Sequence, residues 1–428
     1  MADLILNLED RQQLEQIAAE QSQDSSYRRA RLLLLYDRGL PTREVAREVG
    51  LSRGRARYWR HQFELRGMGI FTGVLPVPGG SLEDELQPAA QGDSEAIPAE
   101  EFAEPGLRSE QLKLKSPGVQ PDDSLAEAGR KVLRYHFVQM LRHEAGTRDG
   151  EDIEDLHDMR VATRRMRAAF EVFENAFTSK AIRTHLKGLR ATGRTLGRVR
   201  DMDVFMEKAH HYLESLPEER RDGLRPLLHS WEETREKSRE TMVKYLDSQD
   251  YEAFKLRFDD FLNTPGAGAR SVQEATPNLV REVAPGLIYD RYASVRAFDT
   301  ILDSASLEQF HALRIEFKKL RYTVEYFREV LGPQAGEVIE ELKALQDHLG
   351  DLNDANVAAH MLRDFLVEWD ALQMKLPVGD RQTPEPILDY MAYRYAERQH
   401  LMLTFSETWT RFNSPEFRQN LALAVSVL

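Results

Sequence analysis

Apolar residues recur every three to four positions along most of the chain, and this spacing predicts amphipathic helices. The period is clear in GRKVLRYHFVQMLRHE and in AGEVIEELKALQDHLGDLNDANVAAHMLRDFL. Neither the N-terminal nor the C-terminal part shows the convincing apolar–polar alternation that half-buried strands require. We therefore predict an all-α protein.

The first 72 residues predict a small unit of short helices. YRRARLLLLYDRG indicates a helix that ends at Gly39, and PTREVAREVG indicates a shorter one with Thr42 as its N-cap. SRGRARYWRHQFELRG follows, and two short helices joined by a tight turn match the helix-turn-helix unit. In this arrangement Val45, Ala46 and Val49 face the core.

Positive charge is concentrated in this unit. From Tyr27 to Arg66 there are eleven arginines and four acidic residues, a footprint typical of duplex binding. The run resembles the homeodomain-like helix-turn-helix family of transposase-type proteins over roughly residues 5–71. The alternative is a helical module that binds protein or has lost DNA binding. The candidate DNA-binding residues lie on the second helix of the unit: Arg53, Arg55, Arg57 and Arg60.

A different composition begins after residue 72. Residues 72–124 contain eleven acidic residues, three basic residues and seven prolines. Such a segment buries too little apolar surface to order itself, and its charges repel one another. We predict a flexible linker over 73–122 between a helix-turn-helix domain, 1–72, and a helical domain, 123–428.

The helical domain contains an internal repeat. HDMRVATRRMR, from His157 to Arg167, is matched by HALRIEFKKLR, from His311 to Arg321, at an offset of 154. LRATGRTLGRVRDMDV is matched in the same way by LKALQDHLGDLNDANV at an offset of 153. The repeat predicts two copies of one antiparallel helical unit.

We call the stretches His157–Arg167 and His311–Arg321 the basic cassettes. Each has two faces when it is placed on a helix. Relative to His157, Arg164 lies at about −20°, Arg160 at about −60° and Arg167 at about −80°, while the apolar residues cluster at about 160–220°. Two matched basic stripes suggest a two-sided clamp for a chain of phosphates. The alternative is that each basic stripe is an ordinary solvated face and that the two sequences resemble each other by chance.

These motifs resemble the conserved histidine α-helical domain (CHAD) family over roughly residues 123–420. The resemblance implies a tandem pair of pseudo-symmetric four-helix bundles, a basic groove between them, and inorganic polyphosphate as the ligand. The groove residues that it implies are His157, Arg160, Arg164, Arg165, Arg167, Arg190, Arg194, His311, Arg314, Lys318, Lys319, Arg321, Lys343 and His348.

Asp203 and Asn356 fall at equivalent apolar positions of the second repeated segment. Buried polar groups require partners. Either they orient cassette side chains, or they form hydrogen bonds between helices. His157 and His311 each stand among cations without a second suitable donor nearby, so we predict no metal site. Because imidazole titrates near neutrality, we expect polyanion affinity to increase as the pH falls from about 8 to 6.

Composition bears on the ligand and on the location of the protein in the cell. The chain has no cysteine and a net charge of −13, so a bound polyanion requires locally concentrated positive charge. No apolar run is long enough to cross a membrane. We expect a cytoplasmic protein without cofactor that associates with polyphosphate granules or the nucleoid.

The function that we expect is non-enzymatic polyphosphate binding with DNA as a second partner, because the cassettes lack an acid cluster for Mg²⁺ and an evident nucleophile. The alternative is a DNA-binding transcriptional regulator that senses a smaller phosphorylated ligand. The sequence does not fix the oligomeric state.

Overall fold

The computed structural model describes residues 6, 8–19, 25–49, 56, 59, 60, 63, 68, 114–273 and 275–428. The chain folds into two compact units, an N-terminal one and a C-terminal one. The predicted linker lies outside the described residues up to position 113, and the bounds of the three predicted segments stay predictions. Val119, near the end of that segment, is buried in the C-terminal unit, and its amide donates to Glu329 at 2.7 Å.

The N-terminal unit contains α1 (Leu8–Ala19), α2 (Ser25–Asp37) and α3 (Thr42–Val49). Val45, Ala46 and Val49 are buried, which confirms the predicted core face of the short helix. They pack in one cluster with residues of α1 and α2 and with Ala56, Trp59 and Phe63. Gly39 has a φ of 76° in the turn after α2, a conformation that glycine adopts without strain.

The C-terminal unit is helical, and the part of it that the structure describes contains isolated bridges but no strand. Its first half contains α4 (Leu125–Arg142), α5 (Glu144–Asp149), α6 (Ile153–Val172), α7 (Ser179–Glu214), α8 (Arg225–Leu246) and α9 (Gln249–Asn263). Its second half contains α10 (Val280–Arg296), α11 (Leu307–Tyr326), α12 (Ala335–Gln373), α13 (Glu385–Phe412) and α14 (Pro415–Val425). Short 3₁₀ turns cover Glu218–Leu224, Ala297–Thr300, Leu302–Ser304, Arg328–Val330 and Val378–Asp380.

The two halves repeat one plan, which confirms the predicted fold. Four helices of at least 17 residues form each half, and a shorter helix closes it. The cassettes occupy the equivalent helices α6 and α11. The apolar residues that the helical wheel assigned to the core are at most 2% exposed in both: Met159, Met166, Phe170 and Phe173, and Leu313, Leu320, Val324 and Phe327.

Residues related by the repeat meet each other where the halves pack. The rings of Phe173 and Phe327, related by the offset of 154, are 5.5 Å apart between centroids. Ser124 and Leu279 form an antiparallel bridge just before α4 and α10. Because each pair joins equivalent positions, a pseudo-twofold axis passes between the halves. One hydrophobic core extends through both.

No helix in the described part of the chain combines the length and apolarity that a bilayer-spanning segment requires.

Candidate anion-binding site

Helices α6 and α11 present their basic faces to a common region. A capping box formed by Ser306 and Gln309 fixes the start of α11, and the buried apolar stripe fixes the rotation of each helix. The basic residues therefore project from the opposite side. Four cations from the two helices then come close to one another, and we call them the central cluster: Arg160, Arg164, Arg314 and Lys318.

Lys318 shows most clearly that the cluster draws on both halves. Burial, and then the positive charges of Arg314, Arg164 and Arg160, together lower the pKa of its ammonium group to about 7. Two of those three charges come from the first half. The pKa of Arg314 is lowered by burial and then by the charges of Arg164 and Arg160.

Within the part of the chain that the structure describes, the cations of the central cluster have few direct acidic partners. Within the described residues, neither Arg164, Arg314 nor Lys318 forms an ion pair, whereas Arg160 pairs with Asp201 through Nη2 and Oδ1 at 3.0 Å. The Nε atoms of Arg164 and Arg314 are buried, and neither has a hydrogen-bond partner among the described residues. Buried donors of this kind require an acceptor.

Two glycines of α7 lie against arginines of α6. A Cβ added to Gly197 would lie 3.6 Å from Nε of Arg160, and one added to Gly193 would lie 3.6 Å from Nη1 of Arg167. Arg160 and Arg167 thus lie over positions of α7 that are one turn apart. Both glycines lie in the second repeated segment.

Two carboxylates lie among the central cations. Burial raises the pKa of Asp201, the charge of Asp354 adds to this, and Arg160 opposes it. Asp201 and Asp354 are related by the offset of 153. Sequence reasoning did not assign either to the site, although their equivalent positions were the available signal.

Two further cassette cations join the halves. Arg165 Nη2 lies 3.1 Å from Glu325, and Lys319 Nζ lies 3.2 Å from Glu171. The two ion pairs are equivalent, because Lys319 lies 154 positions after Arg165 and Glu325 lies 154 positions after Glu171. Arg165 and Lys319 therefore have acidic partners across the pseudo-twofold axis and are not part of the central cluster.

The last arginines of the two cassettes differ. Arg321 is buried, and it donates to Gln346 at 3.0 Å and to Glu325 at 2.8 Å. Arg167 is exposed, and its pKa is lowered by partial burial and then by the charges of Arg190 and Arg194. The predicted residues Arg190 and Arg194 thus lie near a cassette cation.

The remaining predicted groove residues differ in their exposure and in their partners. His157 is half-buried on α6, and exposed His311 places Nδ1 3.1 Å from Oδ1 of Asn353. His348 turns towards α13, where Nε2 lies 2.7 Å from the carbonyl oxygen of Leu401 and Nδ1 lies 3.3 Å from Thr408. Since both ring nitrogens have internal partners, His348 is not in the central cluster. Exposed Lys343 lies near Asp347, whose pKa it helps to lower against a larger effect of burial.

Residues 131–363, more than half of the chain, match the CHAD domain family. The chain belongs to the CHAD domain family. Residues 24–69 match the homeodomain-like domain family, which supports the helix-turn-helix interpretation of the N-terminal unit.

Two relatives from Mycobacterium tuberculosis resemble part of this chain. The uncharacterized proteins MT2285 and Rv2226 of Mycobacterium tuberculosis, strains CDC 1551 / Oshkosh and ATCC 25618 / H37Rv, are each 27% identical over 257 residues. These residues are 59% of this chain and 48% of each relative, so the chain spans about half the length of the relatives.

Two solved structures share the fold. PptA from Streptomyces chartreusis has a TM-score of 0.52 and 15% identity, covering 67% of this chain and 100% of that one. The CHAD domain from the plant Ricinus communis has a TM-score of 0.50 and 20% identity, covering 71% of this chain and 93% of that one.

Asp203 and Asn356 of the C-terminal unit form equivalent hydrogen bonds. Asp203 Oδ1 accepts from Nε of Arg235 at 2.5 Å, and Asn356 Oδ1 accepts from Nη1 of Arg398 at 3.1 Å. Both arginines lie on the next long helix of the same half. Of the two alternatives, the structure shows hydrogen bonds between helices.

The predicted DNA-binding residues are only partly described. Arg53, Arg55 and Arg57 lie outside the described residues. Arg60 is half-buried, and its guanidinium lies 5.1 Å from the ring centroid of Tyr36 on α2.

The described residues contain no group of three or more His, Asp or Glu side chains arranged to hold a metal ion. The cations of the central cluster define the candidate chemistry of the C-terminal unit. Arginine binds phosphate oxygens through paired donors, and a lysine ammonium adds a point charge.

Proposed function

We propose that the C-terminal unit binds inorganic polyphosphate at the central cluster, without chemical change to the ligand. The observation that carries the proposal is the convergence of Arg160 and Arg164 with Arg314 and Lys318 from the equivalent helix. Clustered like charges repel unless an anion compensates them. Membership of the CHAD family supports a phosphate chain as that anion.

Direct titration tests the proposal. The full chain is titrated with polyphosphate of defined length by calorimetry. The same titration follows for an Arg164→Gln/Lys318→Gln variant. Each lost charge-assisted contact costs about 1.5–3 kcal/mol, so we expect the affinity to fall about 100-fold or more.

The control is Arg363→Gln/Lys375→Gln, which removes the same charge from two exposed positions, one in the last part of α12 and one just beyond its end. A comparable loss in this control would mean that net charge, not the cluster, governs binding. An unchanged affinity in the cluster variant would contradict the proposal. Release of inorganic phosphate on incubation with Mg²⁺ would contradict the non-enzymatic assignment.

We also propose that the N-terminal unit binds duplex DNA. The homeodomain-like match at residues 24–69 and the arginine-rich run from Tyr27 to Arg66 support this. Titration of the full chain with duplex DNA, in wild type and in an Arg53→Ala/Arg57→Ala variant, tests it. Equal affinities in the two proteins would contradict the assignment of these residues.

The alternative is a regulator that senses a smaller phosphorylated ligand. It predicts that tripolyphosphate binds as tightly as a long chain and that its addition changes the affinity for DNA. Our proposal predicts an affinity that increases with chain length. Association with polyphosphate granules or the nucleoid would follow from the two binding activities together.

A further inference from the structure

The exposed face of α7 carries one sign of charge over most of its length. From Ser179 to Arg200 there are seven basic residues and no acidic residue. Six of the seven are exposed, and the five from Arg183 to Arg198 are spaced three to four residues apart, so these five form a stripe along one face. We call them the α7 stripe: Arg183, Lys187, Arg190, Arg194 and Arg198.

The α7 stripe has no internal compensation. None of its five side chains forms an ion pair or a hydrogen bond with a residue that the structure describes. Like charges at these spacings destabilise a helix by a few tenths of a kcal/mol per pair. Many other basic side chains of this unit have acidic partners, for example Lys208 with Asp351 at 2.9 Å and Arg220 with Asp389 at 2.8 Å.

The stripe is continuous with the central cluster. One turn beyond Arg198, Asp201 pairs with Arg160. The charges of Arg190 and Arg194 act on Arg167, whose guanidinium packs over Gly193. At 1.5 Å per residue, the stripe extends about 27 Å from Asp201 back to Arg183.

The equivalent face in the second half has the opposite charge. Residues 332–353 contain five acidic residues and one basic residue. Lys187, Arg194 and Arg198 correspond to Glu340, Asp347 and Asp351. A polyanion leaving the central cluster is therefore attracted along α7 and repelled by α12.

We propose that the α7 stripe is a one-sided extension of the site, along which a phosphate chain too long for the central cluster continues towards Arg183. The inference rests on the proposed function and adds Arg183, Lys187 and Arg198 to the contacts. It makes chain-length selectivity a property of the first half alone.

The test is the ratio of affinities for long-chain polyphosphate and tripolyphosphate, measured on the full chain. An Arg183→Gln/Lys187→Gln variant changes the far end of the stripe, about 15 Å along the helix from Gly197. We expect the ratio to fall about tenfold, because two exposed charge contacts are lost. Arg363→Gln/Lys375→Gln, with the same change in net charge, should keep the wild-type ratio.

The two proposals fail in different ways. If wild type binds neither ligand, the proposed function is wrong. If wild type binds both and the stripe variant keeps the wild-type ratio, the function stands and the one-sided extension is wrong. An equal fall in the ratio for the control would also overturn it, because net charge would then explain the selectivity. Melting curves of all three proteins check that the exposed substitutions preserve the fold.

Discussion

Helices α7 and α12 occupy equivalent places in the two halves, yet their surfaces have opposite charge. Their buried positions agree: Leu189 and Leu196 of α7 correspond to Leu342 and Leu349 of α12, and all four are at most 1% exposed. Their exposed positions differ, with basic residues on α7 where α12 has Glu340, Asp347 and Asp351. Packing thus preserves the pseudo-symmetry of the core, while the surface is free to differ.

This difference separates two parts of the proposed site. The central cluster takes cations from both halves, so it should respond alike to changes on either side. The α7 stripe belongs to one half, so changes there should have no counterpart on α12.

The largest effect is expected from charge reversal in the central cluster. Arg164→Glu and Lys318→Glu, made separately, should each lower polyphosphate affinity about 100-fold or more, since a cation is lost and a repulsive charge is added. Calorimetric titration measures both. Similar losses support a two-sided cluster, and a loss confined to one variant would show that only one half binds.

A smaller gain is expected when the charge of α7 is transferred to α12. Glu340→Lys/Asp347→Arg introduces the residue types that α7 carries at Lys187 and Arg194. The affinity for long-chain polyphosphate should increase about tenfold, because two exposed charge contacts are gained. The steepness of its salt dependence should increase as well, because more counterions are released. No gain would mean that surface charge on this face does not guide the chain.

Lys318 predicts a several-fold pH dependence. Its pKa is about 7 in the free protein, and a bound polyanion favours the charged form. Below pH 7 the ammonium group is already protonated. As the pH increases through 7, binding must take up a proton, so the affinity falls.

An arginine at position 318 stays charged over this range. Titrations at pH 6, 7 and 8 should therefore show a flatter profile for Lys318→Arg than for wild type. An unchanged profile in this variant, together with a flat profile for His157→Ala/His311→Ala, would assign the pH dependence to the histidines.

The smallest effect on binding is expected at the ion pairs that join the halves. Arg165→Gln should lower the free energy of unfolding by about 1 kcal/mol, because a half-buried pair with Glu325 is lost. Lys319→Gln removes the equivalent pair with Glu171 and should behave similarly. Denaturant unfolding measures both. A loss of affinity as large as that of Lys318→Glu would place Arg165 in the binding site after all.

The comparison of halves also explains what the sequence could predict. Periodicity predicted the helices and their apolar stripes, because these depend on spacing within one helix. The repeat predicted that α6 and α11 occupy equivalent places in the two halves. The helical wheel placed Arg160 and Arg164 on the same face as each other, and the structure brings that face near Arg314 and Lys318.

Other features depend on how the helices dock. The pairing of Arg165 with Glu325 needs two residues 160 positions apart to meet, and no local pattern predicts this. His348 lies in a repeated segment that includes basic groove candidates, but the packing of α13 turns its ring towards Leu401 and Thr408. The central position of Asp201 and Asp354 depends in the same way on helix packing. The lowered pKa of Lys318 follows mainly from burial, which the sequence does not quantify.

The most direct test of the central claim is a crystal structure of the full chain with polyphosphate of defined length. The account predicts phosphate oxygens within hydrogen-bonding distance of Arg164 on α6 and of Arg314 or Lys318 on α11 in the same molecule. Phosphate bound to only one of these helices, or to a surface away from both, would contradict it.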